Sequence, residues 1–291
     1  MKILVTSDES QTLERAVEYT ALFADQAAVT LLYAYRDQRD RQEALDLLEH
    51  LAEKLRLVTD CPVKITLQPG PVQNAVLHAI EGNQFDLLVF GSHLRARFRN
   101  LRPKYTARNI AKRISMPMLV VFPAWEKLEK ILICVGGSET DHLVVRLAGE
   151  LASSVGADCV ILHVMSQVAF RADADREDLK RDAQAHIDHK SKEGGYLKQA
   201  MEDLREQGMQ AGDCQYLVRH GLTVEEIIKE SNQGDFDLVV IGGLDVPPEK
   251  TWHELRELVQ EDIADRVLTE ARRPVLIANQ PENRPLDWDE L

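Results

Sequence analysis

The sequence predicts an α/β protein in which one domain, built on a parallel sheet, occurs twice. The first observation is the stretch Asp86-Leu87-Leu88-Val89-Phe90-Gly91-Ser92-His93, an acid leading four apolar residues into Gly-Ser-His. A short continuous apolar run ending in glycine reads as a strand buried on both faces of a parallel sheet. The glycine is expected to turn the backbone sharply at the strand's carboxyl end, where ligands sit in open α/β sheets. The second observation is its recurrence as Asp237-Leu238-Val239-Val240-Ile241-Gly242-Gly243. Each copy precedes a helix-like segment and a Pro-led apolar strand, Pro117–Val121 and Pro274–Ala278. Two such units in the same order are a duplicated domain.

The elements follow in order. Ile3–Val5 reads as a strand ending in Thr6-Ser7-Asp8, and Ser10 as the N-cap of a helix running to about Asp25. Leu13, Ala16, Val17, Thr20 and Ala21 in that helix share helical spacing. Val29–Tyr35 is a strand, Arg41–Leu57 a helix with one apolar stripe, and Val63–Leu67 a strand that Gln68-Pro69-Gly70-Pro71 turns. A helix over Val72–Glu81 ends at Gly82-Asn83. After the Asp86 strand come a helix near Tyr105–Ile114 and the Pro117 strand.

The second pass opens at Lys130. Ile131–Val135 matches the first strand at an offset of 128 residues, Gly221 matches Gly70 at 151, and Pro274 matches Pro117 at 157. The added residues fall in the charged helical stretch Asp173–Gln207, expected to break near Gly194-Gly195, and around Val246–Thr251; no strand is interrupted. The implied domains are residues 1–124 and 128–280, with a tail over 281–291.

Composition narrows the class. An apolar fraction of 44% and a charged fraction of 29% are those of a soluble globular chain, and no run approaches the roughly 18–20 apolar residues of a membrane span. The chain opens directly on Lys2-Ile3-Leu4-Val5 with no signal-peptide pattern. Cys61, Cys134, Cys159 and Cys214 are scattered in or beside strands and read as buried reduced thiols. A cytoplasmic location is the expectation. Residues 1–130 carry 18 basic and 16 acidic side chains, and residues 131–291 carry 17 and 32. The second half should therefore repel nucleic acid and anionic membranes.

In each half an apolar opening strand meets a polar turn with Ser10 or Ser138, and the second strand ends near an aromatic residue or His163. The Asp-Leu-x-Val-x-Gly run and the Pro-led strand follow. The ordered set, occurring twice from Met1 to about Ala278, resembles a tandem universal stress protein. The resemblance implies two doubly wound, Rossmann-like domains of the adenine nucleotide alpha hydrolase type. Each would hold five parallel strands in the order 3-2-1-4-5, paired through their last strands as an intramolecular pseudo-dimer. A homodimer of such tandem chains is a further option. Its nucleotide-binding members use Gly, two residues, Gly, nine residues, Gly, then Ser or Thr after strand four, a nest of backbone amides for phosphates.

That pattern is broken here. Gly91 holds the first place, but Leu94 takes the second and Lys104-Tyr105 the last. In the second half Gly242 is followed by Asp245 at the second place; counted back from Pro274, Glu261-Asp262 occupy the last, with Asp265 nearby, so an acid would meet the phosphate. Asp8 matches the family's acid near the base, and Gly136 replaces it in the second half. The candidate ligand residues are Asp8, Gly91, Ser92, His93, Arg95 and Arg97 in the first domain. Weaker candidates in the second are Gly136, Gly137, Ser138, Gly242 and Gly243. The ligand would be an adenine nucleotide or another anion in the first domain.

Arg95, Arg97, Arg99, Arg102, Lys104, Arg108, Lys112 and Arg113 crowd the place of the glycine loop. They read as guanidinium forks for an anion or, preferred, as a solvated face or a patch turned to the acidic second half. Val135-Gly136-Gly137-Ser138-Glu139-Thr140 faintly resembles the Ser-Gly-Gly-x-Asp-Ser loop of adenylating pyrophosphatases, but reads first as a flexible turn. His186 and His189 read as a solvated helix face rather than a metal site. The favoured reading is a stress-response module acting by ligand sensing or protein interaction, without strong ATP binding or catalysis. A slow ATPase or adenylating enzyme is the alternative.

Overall fold

The computed structural model describes residues 1–93, 106–123, 125–136, 141–166, 192–210, 212–242 and 263–279. Ten strands form one sheet in the order β3-β2-β1-β4-β5-β10-β9-β6-β7-β8. The first half supplies β1 (Lys2–Ser7), β2 (Ala28–Tyr35), β3 (Val63–Pro69), β4 (Leu87–Gly91) and β5 (Met118–Val121). The second supplies β6 (Lys130–Val135), β7 (Asp158–Ser166), β8 (Cys214–Gly221), β9 (Leu238–Gly242) and β10 (Val275–Ala278). Each half thus has the expected 3-2-1-4-5 order, and every pairing is parallel except where the halves meet. There β5 and β10 run antiparallel, Val120 opposite Val275 and Met118 opposite Ile277.

Alternation along the buried strands assigns each residue to one face. Ile3, Val5, Leu87 and Val89 pack beneath α1 (Ser10–Ala21) and α2 (Arg41–Val58). In the second half the same layer lies beneath α5 (Asp141–Val155) and α6 (Lys192–Glu206). Leu4, Leu88 and Phe90 face the opposite layer, covered by α3 (Val72–Glu81), α4 (Thr106–Ala111), α7 (Thr223–Gln233) and α8 (Ile263–Glu270). Both layers run without interruption through the two halves.

Two local expectations are corrected. The first helix ends at Ala21, and Ser10 is its first residue; Glu9, in extended backbone, holds the cap position without a side-chain capping bond. Its carboxylate is drawn elsewhere, to His93. The break expected at Gly194-Gly195 does not occur, because α6 runs through both glycines. Leu197, Ala200, Met201 and Leu204 form its buried stripe, and packing against α5 outweighs the roughly 1 kcal/mol per glycine of lost helix propensity. That contact is tight at Gly149, where an added Cβ would lie 3.0 Å from Leu204 and Gln207 side-chain atoms.

The acid that leads each repeat has a structural task. The Asp86 amide donates to the Lys2 carbonyl at 2.8 Å, and its carboxylate accepts the Lys2 amide at 2.6 Å. Asp237 repeats the arrangement: its amide donates to the Lys130 carbonyl at 2.8 Å. Its carboxylate accepts the Glu129 and Lys130 amides at 2.9 and 3.1 Å. Each acid therefore pins the start of strand four to the start of strand one. Around Asp237 the halves also interlock. The buried Tyr19 hydroxyl of α1 donates to the Asp237 carbonyl at 3.3 Å. The linker's Trp125 donates to the Arg272 carbonyl at 3.2 Å, and the Arg273 guanidinium stacks 4.9 Å from its ring centroid. Burial lowers the Arg273 pKa, opposed by Asp235 and Asp237.

Asp237→Ala should cost about 2–4 kcal/mol in urea unfolding, because a carboxylate 1% exposed is removed from two backbone donors. Asp86→Ala, at an exposed site with one such bond, should cost a small part of that.

Candidate functional site

The crevice expected from the topology lies where β1 and β4 end side by side, Ser7 opposite Gly91. Its floor is a sealed polar cluster. The Ser7 hydroxyl, 1% exposed, lies within hydrogen-bond reach of the Gly91 carbonyl, at 3.0 Å, and of the Thr12 hydroxyl, and donates its single proton to one of them. It also accepts the Glu9 amide at 3.2 Å. Thr12 donates to the Glu9 carbonyl at 3.0 Å. These bonds tie the first turn of α1 to both strands.

Gly91 is required by that closeness. A Cβ there would lie 2.1 Å from the Thr12 carbonyl oxygen and 3.3 Å from the Ala16 Cβ. Gly91 is not among the residues with positive φ, so the sharp turn expected of it is absent; Gly70, at φ +104°, is the glycine that needs its freedom at a turn. The amide of Ser92 donates to the Val121 carbonyl at 2.9 Å, extending the ladder to β5. The two residues expected to begin a phosphate nest are therefore spent on helix packing and sheet pairing.

The mouth of the crevice is acidic and bridged. His93 Nε2 meets the Glu9 carboxylate at 2.5 Å, linking the exit of β4 to the start of α1. Asp8 stands beside it, still solvent-exposed. Partial desolvation raises its pKa, helped by Glu9 and opposed by its own amide, His93 and the Thr106 hydroxyl. Tyr33 on β2 is brought into the same field: its pKa is raised by desolvation and then by Asp40, Glu9 and Asp8. Glu9, Thr12 and Tyr33 were not among the candidates. The aromatic residue near the end of the second strand was a signal for Tyr33; Glu9 and Thr12 had none. Arg95 and Arg97 lie outside the described residues, as do Arg99, Arg102 and Lys104.

The second crevice is built differently. Pairing of β6 with β9 is confined to Ile131–Ile133 against Leu238–Val240, whereas β1 and β4 pair to their last residues. The Gly136 amide donates to the Asp141 carboxylate of α5 at 3.1 Å. His163 Nδ1 donates to the Val135 carbonyl at 3.1 Å and is 7% exposed. Gly242 ends β9, exposed, with its nearest would-be Cβ contact at 3.8 Å on Val144. Gly137, Ser138 and Gly243 lie outside the described residues, as do Glu261, Asp262, His186 and His189. Asp265, expected to face a phosphate, instead pairs across the domain boundary with Arg108 at 2.8 Å. That pair realises part of the patch turned to the acidic half. Among the described residues no group of three or more His, Cys, Asp or Glu side chains could hold a metal ion. No helix among them is long and apolar enough to cross a membrane.

Gly91→Ala should destabilise the protein by about 3 kcal/mol through overpacking, whereas Gly242→Ala should stay within about 0.5 kcal/mol; paired urea titrations decide it. Asp8→Asn should raise the melting temperature at pH 7. An acid whose pKa is raised in the folded state binds its proton more tightly there, so its destabilising effect holds above the raised pKa. The gain should shrink as pH falls through that range and vanish below the unfolded value.

The model of the universal stress protein family matches residues 1–121 and again 127–279. Among solved structures, a universal stress protein from Archaeoglobus fulgidus superposes with a TM-score of 0.66 at 12% identity, over 96% of this chain and 98% of that one. A candidate universal stress protein from Pseudomonas aeruginosa gives 0.61 at 17%, over 95% and 92%. The cytoplasmic domain of a prokaryotic cation chloride cotransporter gives 0.55 at 15%, over 97% of each chain. At these identities the likeness is one of fold. No curated protein matches the chain.

Proposed function

This chain belongs to the universal stress protein family, and we propose that within it the chain acts as a sensing module without strong catalysis. Its first domain would receive a small anionic ligand, an adenine nucleotide or another phosphate-bearing anion. The observation that carries this reading is the contrast between the two crevices. In the second, the Asp141 carboxylate already accepts the Gly136 amide, so an anion at that amide would displace an internal one. In the first, Glu9 bridges the mouth to His93 between two partly accessible side chains, beside the Asp8 carboxylate and the Thr106 hydroxyl.

Exchange of that carboxylate for a ligand anion leaves His93 bonded and frees Glu9 to solvent. Arg95 and Arg97, two and four residues after His93 in the chain, would supply further donors. Asp8, on the β1 side, is left to contact the base. High ATP affinity is not expected. Gly91 is committed to packing against Thr12, the Ser92 amide to Val121, and Asp8 and Glu9 place two acids at the mouth.

Isothermal titration of the full chain with a nucleotide panel tests this. Binding should be weak, confined to the first domain, and strongly reduced by salt, since exposed charges are screened within about 8–10 Å. Replacing Arg95 and Arg97 with Ala should weaken it, Glu9→Gln should tighten it several-fold, and Asp8→Ala should alter base preference more than phosphate affinity. Binding that ignores all four substitutions, no binding at all, or steady ATP turnover overturns the reading.

A further inference from the structure

The ladder sets Cys159 of β7 directly opposite Cys214 of β8. Neighbouring strands lie about 4.8 Å apart, inside the roughly 4.4–6.8 Å separation of Cα atoms that a disulfide accepts. Partners in a parallel register project to the same side of the sheet, and both side chains belong to the core layer beneath α5 and α6. Both are free thiols, 1% and 7% exposed. The remaining cysteines are placed elsewhere. Cys61 shares a 3.1 Å contact with the Thr59 hydroxyl in the first half, and Cys134 faces the opposite layer.

We propose that Cys159 and Cys214 form a modification site, joined by a peroxide-class oxidant into a reversible disulfide that staples the edge strand β8 to the sheet. This is independent of the anion site in the first domain. Cys214, at the outer edge and the more accessible of the two, reacts first. Its thiolate sulfur bonds to one peroxide oxygen as the O–O bond breaks, and the departing oxygen leaves as water after taking a proton. The Cys159 sulfur then attacks the resulting sulfenic sulfur. The S–S bond forms, the S–O bond breaks, and hydroxide leaves with the Cys159 proton as a second water. Two thiols give up two electrons, and one peroxide becomes two waters.

The position explains both the rate and the effect. Burial is the largest influence raising the pKa of each thiol, so thiolate is scarce at neutral pH and oxidation is slow, faster as pH rises. Sustained oxidant is registered and brief exposure is not. The bond encloses α6 (Lys192–Glu206) and holds an edge strand that pairs with β7 alone.

The full chain incubated with hydrogen peroxide, alkylated and mapped by peptide mass spectrometry decides the matter. The expected result is one intramolecular Cys159–Cys214 cross-link, with free thiols falling from four to two and returning under dithiothreitol. The melting temperature should rise by roughly 5–10 °C. The double variant Cys61→Ser, Cys134→Ser should keep both effects, and Cys159→Ala or Cys214→Ser should lose both. Retention of four thiols, cross-links to Cys61 or Cys134, sulfinic acid on Cys214 without a cross-link, or an unchanged melting temperature overturns the proposal. Because the map is made on the unsubstituted chain, it stands even where a variant fails to fold.

Discussion

The antiparallel pairing of β5 with β10 is the constraint on which the rest of the structure depends. A five-stranded open sheet leaves its last strand with unpaired backbone groups. Here each half supplies that strand to the other, and the result is one sheet with β3 and β8 as its outer edges. Because the pairing aligns the faces of both sheets, each apolar layer becomes a single core spanning both halves. The secondary locks fall into place around it. Tyr19 reaches Asp237 on one side of the junction, and Arg108 reaches Asp265 on the other. The last strand of each half is thereby consumed internally. A dimer of this chain would have to use another surface.

Duplication preserved the latch and released the crevice. Asp86 and Asp237 hold the start of strand four against strand one in the same way. That bond concerns only the end of the sheet remote from the crevices. At the other end the copies diverge. Helix α1 lies so near β4 that only glycine fits at position 91, while β6 and β9 part early and Gly242 has room around it. Self-satisfaction of the second crevice by Asp141 is compatible with a half that carries the whole acidic excess. The physical contrast is between a crevice bridged by two side chains, Glu9 and His93, and one whose Gly136 amide is matched by Asp141.

Acidic and basic residues that look alike in composition have separate destinations. Arg108 belongs to a run of cations beginning at Arg95, yet its partner is an aspartate of the other domain. Glu9 and Asp8 are neighbours, yet Glu9 bridges the crevice to His93 while Asp8 is left beside the Thr106 hydroxyl with a raised pKa. One residue of separation turns the chain from strand to helix cap and sends successive side chains to different surroundings.

The family resemblance implied the Pro-led strands as the junction, where β5 and β10 indeed pair; the sequence pattern alone determined the α/β class, the duplication and the strand positions. These follow from apolar period and repeat spacing, which are local properties that a core of fixed architecture must respect. The third helix, Val72–Glu81, is read from sequence with its observed bounds, and Asp8, Gly91 and His93 are all found at the switch point. Only the tertiary structure decided what those residues do there. Gly91 reads as a turn or nest glycine, since nothing near it in the chain reveals that Thr12 will lie against it. Gly194 and Gly195 read as a break, since helix propensity is local and the α5 surface that overrules it is not. The Glu9–His93 bridge spans 84 residues of sequence, and Cys159 and Cys214 meet only because β7 and β8 pair in that register. Pairings of this kind are set by which strands adjoin and how their registers fall, and no local pattern of residue types encodes them.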